Sequence, residues 1–506
     1  MKDKARRSIR SVRSHEKSQR HEVFSYPRFA TPLVAKRSNC CYPIGGLLLG
    51  RQRLIFSHSL LSRFVSLFRR VPMNNTLICA LAIFVCVALV GCSRDTVPAP
   101  QQDEGEIPSP RSSTLTVDFY LDATLSMKGF TVPRDYNYYT QTLDILESSV
   151  VSGWPNGRAR FFKFGTTTKE LGNRDHLGAR FPRFYTDREF FKRTYIERVI
   201  DSAKVDHLSV IVTDLFENDA DISLLTARVK DRYLSQSLSV GILGIKSNFI
   251  DTVYDVGINQ EKFRYGGVRP FYLVLLGHYS DVSNLYESLL LQGLSTFREH
   301  NFLVLSKYLA AKAISFEGCK TSTASNLVEF EGLLDPSKRN VRTKQLKIRG
   351  DPELASIEMA LKSQLLGHTV DFDRTRLQHE VIPGVFKGDQ FAAQPELTNA
   401  LTISNVEMSD SSLRFRAELA QKRLPAKGVY CFKVILRPDA RAFVLPEWIS
   451  TWDMNEENIS KWRAHPSDFD GSTTYNLKHL IQNILQTIVE LNRPKVATLY
   501  FYVKKG

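Results

Sequence analysis

The stretch LTVDFYLDATLSM, residues 115–127, decides the fold of the first half of the chain. It opens with a run of mostly apolar β-formers, which predicts a strand that ends at Asp122. A carboxylate and two hydroxyls then follow at alternate positions, in the side chains of Asp122, Thr124 and Ser126. All three side chains can turn toward one point in a loop, and such oxygen ligands suit Mg²⁺. The stretch therefore predicts a strand with a metal-binding loop at its end.

Strands and helices alternate after this stretch. Strands are predicted at residues 158–164, 208–212 and 239–245, and helices at residues 136–151, 188–203 and 222–235. Several of the strands are apolar on both faces, so we expect an α/β fold with a doubly wound, mainly parallel sheet. Ligands of such sheets bind beyond the carboxyl ends of the strands, where Asp122 and Asp214 both stand.

A β-α extension of this domain is predicted by a strand at residues 271–276, a helix at 281–296 and a strand at 302–305. Arg264 and Arg269 precede the first of these strands. They can hold an anionic group, although the Gly-Gly pair between them is more typical of a simple turn.

The helical period fades from about residue 320. Short alternating strands are predicted at residues 327–330, 346–349, 413–419 and 430–436, with a helix at 475–491 and a last strand at 496–503. The turns between them favour an antiparallel sandwich or small β-domain. For the three clustered tryptophans Trp448, Trp452 and Trp462, we expect packing in the core rather than sugar binding.

The loop motif resembles that of the von Willebrand factor A domain, whose metal-ion-dependent adhesion site begins D-x-S-x-S after the first strand. Asp122, Thr124 and Ser126 match it, with Thr in place of the first Ser. The family's later strand ends in a Thr-Asp pair, matched here by residues 213–214. Leu215 stands where Gly is usual in the family, so we expect a different loop there.

The resemblance implies one metal ion, Mg²⁺ or alternatively Mn²⁺ or Ca²⁺, whose shell is completed by an acidic group of a protein ligand. It implies five metal-site residues: Asp122, Thr124, Ser126, Asp214 and a threonine from the loop before the helix that precedes the later strand. Thr194 is the expected loop threonine, and Thr186 and the threonines at 166–168 are alternatives. The hydroxyls would contact the metal, while the two carboxylates would act partly through water.

The net charge of +15 lies almost entirely near the N-terminus. Residues 1–72 carry 16 Lys and Arg against three acidic residues, residues 73–91 carry no charge, and residues 92–506 carry a net charge of only +2. A body so close to neutral has no global electrostatic reason to bind phosphate backbones. We therefore expect no nucleic-acid partner.

An apolar run of 14 residues, 77–90, is too short to span a bilayer, which takes about 20 helical residues, but suits a secretory signal peptide. It leads directly into Gly91 and Cys92, which resemble the cleavage and lipidation box of bacterial lipoproteins. The resemblance implies a lipid anchor on Cys92. Ser93 follows instead of Asp, which in a Gram-negative cell implies the outer membrane, facing the periplasm or the cell surface. The alternative is a buried or signal-anchor helix with an accidental Gly-Cys pair.

The predicted organisation has five parts. They are a basic extension at 1–72 upstream of a later translation start near residue 67 or 73, a signal peptide at 73–91, a flexible tether at 92–113, a von Willebrand factor A-like domain with its extension at 114–315, and a β-rich domain at 320–506. Cys319 and Cys431 either form a disulfide or are two buried free thiols.

We expect an envelope-anchored lipoprotein that binds a protein ligand through its metal and is not an enzyme. Metal-assisted hydrolysis normally uses His or a dense set of carboxylates with a nearby base, and none of the 11 His neighbours the motif residues in sequence. The alternatives are a scaffold or assembly protein with a vestigial metal site and a metal-dependent hydrolase.

Overall fold

The computed structural model of the chain describes residues 106–133, 137–215, 222–257, 259–322, 326–334, 342–387, 390–424 and 427–506. The predicted basic extension, signal peptide, Cys92 and the first part of the tether lie outside the described residues. Those described all belong to the second of two units of the chain, residues 93–506. No helix in the ranges given above is long and apolar enough to cross a lipid bilayer.

The first half of the chain forms a seven-stranded sheet with the order β3-β2-β1-β4-β6-β5-β7. Its strands are β1 (Thr116–Asp122), β2 (Arg158–Phe164), β3 (Thr168–Glu170), β4 (Leu208–Thr213), β5 (Ser239–Val256), β6 (Glu261–Gly277) and β7 (His300–Leu305). β1 pairs in parallel with β2 on one side and with β4 on the other. The other four neighbouring pairs are antiparallel.

The predicted α/β class is confirmed, but the prediction of a mainly parallel sheet is wrong. β5 and β6 are separated by only four residues, 257–260, so they pair as an antiparallel hairpin. β6 then lies between β4 and β5. The apolar patterns at 239–245 and 271–276 mark only the inner halves of these two strands, and the outer halves, where apolar and polar residues are mixed, were not predicted as strands.

The hairpin extends beyond the edge of the sheet. β4 pairs with β6 from Ser209, opposite Leu276, to Thr213, opposite Tyr272. Residues 261–271 of β6, with the paired part of β5, therefore continue past the carboxyl end of β4. We call this part the hairpin overhang. Its far end contacts the C-terminal part of the chain through the stacked rings of Phe263 and Phe469, whose centroids are 4.4 Å apart.

Helices cover both faces of the sheet. They are α1 (Leu125–Lys128), α2 (Tyr138–Gly153), α3 (Ile196–Ser202), α4 (Ile222–Arg232), α5 (Tyr279–Gln292), α6 (Glu447–Thr451), α7 (Glu456–Ala464) and α8 (Leu477–Asn492). Alternate residues of β1 point to opposite sides of the sheet. Phe119 packs in the core that includes α2 and α5, and Tyr120 packs in the core that includes α3, α4 and α8.

Helix α8 packs on the first sheet although the sequence assigns it to the C-terminal domain. Its apolar residues recur at helical spacing, and Leu480, Ile481 and Ile484 are buried against the same face as α3 and α4. Trp452, from the segment before it, is 2% exposed in the same core. The amphipathic pattern predicts an apolar face for α8, but it does not say which sheet that face covers.

The C-terminal half contains two packed sheets, in agreement with the predicted β-rich domain. One has the order β14-β13-β17-β21-β10-β9 and the other β15-β16-β11-β8. Their strands are β8 (Lys320–Thr321), β9 (Leu327–Glu329), β10 (Thr343–Ile348), β11 (Leu354–Lys362), β13 (Leu377–Lys387), β14 (Gln390–Ala393), β15 (Leu401–Met408), β16 (Ser412–Ala420), β17 (Gly428–Pro438) and β21 (Ala497–Lys505). Buried residues of both sheets form one core, which includes Phe415 of β16 and Phe501 of β21.

Two short strand pairs complete the fold. β12 (Asp371–Phe372) pairs with β18 (Phe443–Val444), and β19 (Asp453–Met454) pairs with β20 (Thr474–Tyr475). Cys319 and Cys431 are both free thiols, so the disulfide that the sequence left open is not formed.

The end of the predicted tether is docked on the folded unit. The Glu106 carboxylate is buried and lies 2.9 Å from a guanidinium nitrogen of Arg342. The Ser112 hydroxyl and backbone N–H donate to the carboxylate of Asp281 at 2.7 and 2.9 Å. Glu106 and Ser112, near the end of the predicted tether, are therefore held by specific contacts.

Candidate metal centre

The parallel pairing of β1 with β4 sets the frame of the site. Asp122 is the last residue of β1, and Asp214 directly follows β4. Because the two strands run in the same direction, their carboxyl ends meet at one edge of the sheet. Both carboxylates are fully buried there. The structure thus brings together the two acidic residues that the sequence placed 92 positions apart.

The loop after β1 is shaped by hydrogen bonds to Asp122. Its Oδ1 accepts from the Thr124 backbone N–H at 3.0 Å and from the Thr124 hydroxyl at 2.7 Å. This turn places the short helix α1 with Thr124 in an extended conformation at its N-cap. The Ser126 Oγ then lies 3.1 Å from the Thr124 Oγ1 and donates to the Asp214 Oδ1, also at 3.1 Å. Ser126 is the partly exposed member of the group, so the site opens to solvent on its side.

Thr194 is the loop threonine that joins the site. The predicted helix at 188–203 forms only as α3, and Thr194 lies in the loop that precedes it. Its hydroxyl is buried and donates to the Thr124 Oγ1 at 3.1 Å. The hydroxyls of two of the alternatives bond to other groups: that of Thr186 donates to the backbone oxygen of Arg183 on the surface. The Thr166 hydroxyl donates to a backbone oxygen as well, that of Phe190.

A close backbone contact brings this loop to the site. Gly165 follows β2, and a Cβ atom at this position would lie 2.2 Å from the backbone oxygen of Phe190 and 3.3 Å from the Thr124 Cγ2. A larger residue at 165 would therefore push away the loop that carries Thr194.

Thr213 and Leu215, the neighbours of Asp214 in sequence, complete the hydrogen bonds that hold the carboxylate of Asp122. The Thr213 hydroxyl donates to the Asp122 Oδ2 at 2.9 Å and accepts from the Leu215 backbone N–H at 3.2 Å. Leu215 has a φ of 57°, a left-handed conformation that favours glycine. Leu215, which stands where glycine is usual in the von Willebrand factor A domain, thus has a backbone conformation that glycine adopts with less strain. Thr213 was predicted only as part of the Thr-Asp pair and not as a site residue.

Arg269 is the member of the site that sequence reasoning misjudged. The sequence suggested that it can hold an anionic group, and the group it holds is a buried carboxylate of the chain itself, because its side chain is only 1% exposed and belongs to the hairpin overhang. Its Nη2 donates to the Asp214 Oδ2 at 3.2 Å, and its Nη1 donates to the backbone oxygen of Gly471 at 3.4 Å. The sequence did not show that β6 extends beyond β4. This extension is what brings the guanidinium of Arg269 to Asp214.

Burial and repulsion raise the pKa of Asp122. Desolvation is the larger cause and the charge of Asp214 is the second, and together they raise the pKa to about 7. The hydrogen bonds from Thr124 and Thr213 act in the opposite direction because they stabilise the carboxylate. Burial and the neighbouring carboxylate thus both oppose the charged form of Asp122.

The chemistry of the donors fits a hard divalent cation. Two carboxylates and three hydroxyls converge, all of them oxygen ligands of the kind that Mg²⁺ prefers, and Mg²⁺ keeps several waters and needs few protein groups. Across the part of the chain that the structure describes, no group of three or more His, Cys, Asp or Glu residues has the arrangement of a metal site. Any cation here would therefore depend on the hydroxyls as well as the acids.

Comparison with known proteins adds no assignment. No protein-family model matches the chain. No curated protein matches it either. The interpretation of the site depends on its own residues and their geometry.

Proposed function

We propose that the chain binds one divalent metal ion, Mg²⁺ or alternatively Mn²⁺ or Ca²⁺, in a von Willebrand factor A-like domain, and that the metal binds a protein ligand. The observation that carries the proposal is the single hydrogen-bonded group formed by residues from three separate segments of the chain. Its members are Asp122, Thr124, Ser126, Thr194 and Asp214. A D-x-T-x-S motif that arose by chance would not explain why the distant Thr194 and Asp214 bond to the motif residues.

Each residue has a distinct role in this proposal. The hydroxyls of Thr124, Ser126 and Thr194 would face the metal, and Asp122 and Asp214 would supply the negative charge, partly through water. The metal supplies a Lewis-acidic position for an acidic group of the ligand. Ser126 lies on the partly exposed side, so a ligand would approach past it.

We also propose that the protein is a lipoprotein of the bacterial cell envelope, anchored through Cys92. The support is the signal-like run that ends at Gly91 and Cys92. The nearly neutral body, residues 92–506, supports a protein partner over a nucleic acid.

A second candidate function is a scaffold with a vestigial metal site. The ion pair between Arg269 and Asp214 favours it, because both oxygens of Asp214 already have a donor without a metal. The same holds for Asp122, whose two oxygens accept from Thr124 and Thr213. The two candidates differ in whether a metal binds at all.

The test is a capture experiment with the full chain in detergent. Proteins retained by the wild type with Mg²⁺ are compared with those retained in EDTA and by the Ser126→Ala and Asp122→Asn variants. Asp201→Asn is the matched control, because Asp201 forms a half-exposed surface pair with Arg228 away from the site. A protein lost in EDTA and with both site variants supports the metal-dependent binder. If the captured proteins are the same in EDTA and with both site variants, the result supports the scaffold.

A further inference from the structure

The hairpin overhang places a fixed positive charge inside the candidate metal centre. β6 continues past the carboxyl end of β4, and Arg269 lies on this continuation, three residues before Tyr272, which pairs with Thr213. The guanidinium therefore reaches Asp214. The two oxygens of Asp214 are shared: Oδ1 accepts from Ser126 and Oδ2 accepts from Arg269.

The guanidinium is held from several directions. It lies over the ring of Phe249, with 5.4 Å between its central carbon and the ring centroid. The backbone oxygen of Gly471 accepts a hydrogen bond from it. Three residues further along each segment, the Tyr272 and Thr474 hydroxyls are 2.9 Å apart, and this contact ties the same C-terminal part of the chain to β6. With 1% exposure and these contacts, Arg269 has no path to a ligand in solvent.

The effect of Arg269 on metal binding follows from the charges at the site. A buried pair of carboxylates needs a counter-charge, and a divalent metal and a guanidinium both supply one. When the guanidinium is already present, the metal gains less from the acids and is repelled by the fixed charge. When it is absent, the acids remain uncompensated until a metal binds.

We propose that Arg269 is a resident cation of the candidate metal centre, which keeps the site folded without metal and lowers its affinity for the metal. This inference rests on the proposed metal site. It makes the metal optional for folding. It also assigns the control of metal affinity to a residue supplied by the hairpin overhang rather than by the motif loops.

The experiment compares the full chain with its Arg269→Met and Arg269→Gln variants. Calorimetric titration with Mg²⁺ or Mn²⁺ gives the dissociation constant, and thermal melting in EDTA and in millimolar metal gives the metal-induced shift in Tm. Arg264→Met is the matched control, because Arg264 lies on the same strand but is exposed. We expect Arg269→Met to bind the metal about tenfold or more tightly than the wild type and to show a larger shift in Tm. Arg264→Met should behave as the wild type.

Equal or weaker metal binding by Arg269→Met overturns the inference and leaves the proposed function intact. If Arg269→Met binds the metal and the wild type does not, the inference is supported, and the proposal that the wild type binds a metal is refuted. Absence of binding in both overturns the two proposals together. If Arg269→Met folds only when metal is present, the inference is supported. If it does not fold at all, Arg269→Gln decides by the same comparison, since its amide still donates to Asp214.

Discussion

Replacing Thr213 by Val tests how firmly the site holds the charge of Asp122. Thr213 is fully buried, and Val keeps its branched shape, so packing is preserved. The substitution removes the hydroxyl that donates to the Asp122 Oδ2 at 2.9 Å and accepts from the Leu215 N–H at 3.2 Å. A hydrogen bond to a charged group contributes about 1.5–3 kcal/mol and a neutral one about 1 kcal/mol. We therefore expect the variant to lose about 2–4 kcal/mol of unfolding free energy.

The assay is urea unfolding of the metal-free full chain at a pH above 7, followed by tryptophan fluorescence. Thr226→Val is the matched control, because the Thr226 hydroxyl donates only to the backbone oxygen of Ile222 within its own helix. We expect the control to change stability by less than about 0.5 kcal/mol. A loss for Thr213→Val no larger than that of the control would refute the reasoning, since it would mean that the Asp122 oxygen is not held by this bond.

Three further predictions concern buried groups of the fold outside the site. Arg160→Met should cost at least about 2 kcal/mol in urea unfolding, because Arg160 donates twice, at 2.7 Å, to the buried Asp118 carboxylate; an unchanged midpoint contradicts this. Ile481→Ala in α8 should cost about 2–5 kcal/mol by the same assay, because Ile481 is fully buried against the first sheet; a loss below about 1 kcal/mol contradicts that packing. Burial raises the pKa of Cys431 to about 12, so mass spectrometry after brief alkylation should find Cys431 unmodified until urea unfolds the chain, whereas rapid labelling of the native protein contradicts its burial.

The site was predictable from the sequence because its chemistry lies in local patterns. A carboxylate and two hydroxyls at alternate positions after an apolar strand predict a loop whose side chains converge, and the Asp122 loop has that form. The family resemblance favoured Thr194 as the loop threonine, but the helical pattern placed it inside a predicted helix at 188–203, and Thr186 stayed an alternative. The structure separates them because only Thr194 bonds to Thr124.

The sheet was less predictable because the sequence of a single strand does not show which other strands it pairs with. The apolar ends of β5 and β6 look like two independent buried strands of a parallel sheet. Only the short connection at 257–260 indicates a hairpin, and the mixed apolar and polar residues of the outer halves do not reveal its length. The same feature hid the role of Arg269, whose position over Asp214 follows from the overhang and from no local motif.

Calorimetric titration of Mg²⁺ and Mn²⁺ into the metal-free full chain tests the central claim most directly. The proposed centre predicts one metal ion bound per wild-type chain, with binding lost in Asp122→Asn and kept in the surface control Asp201→Asn. No heat of binding from the wild type at millimolar metal, or binding that Asp122→Asn leaves unchanged, would contradict it.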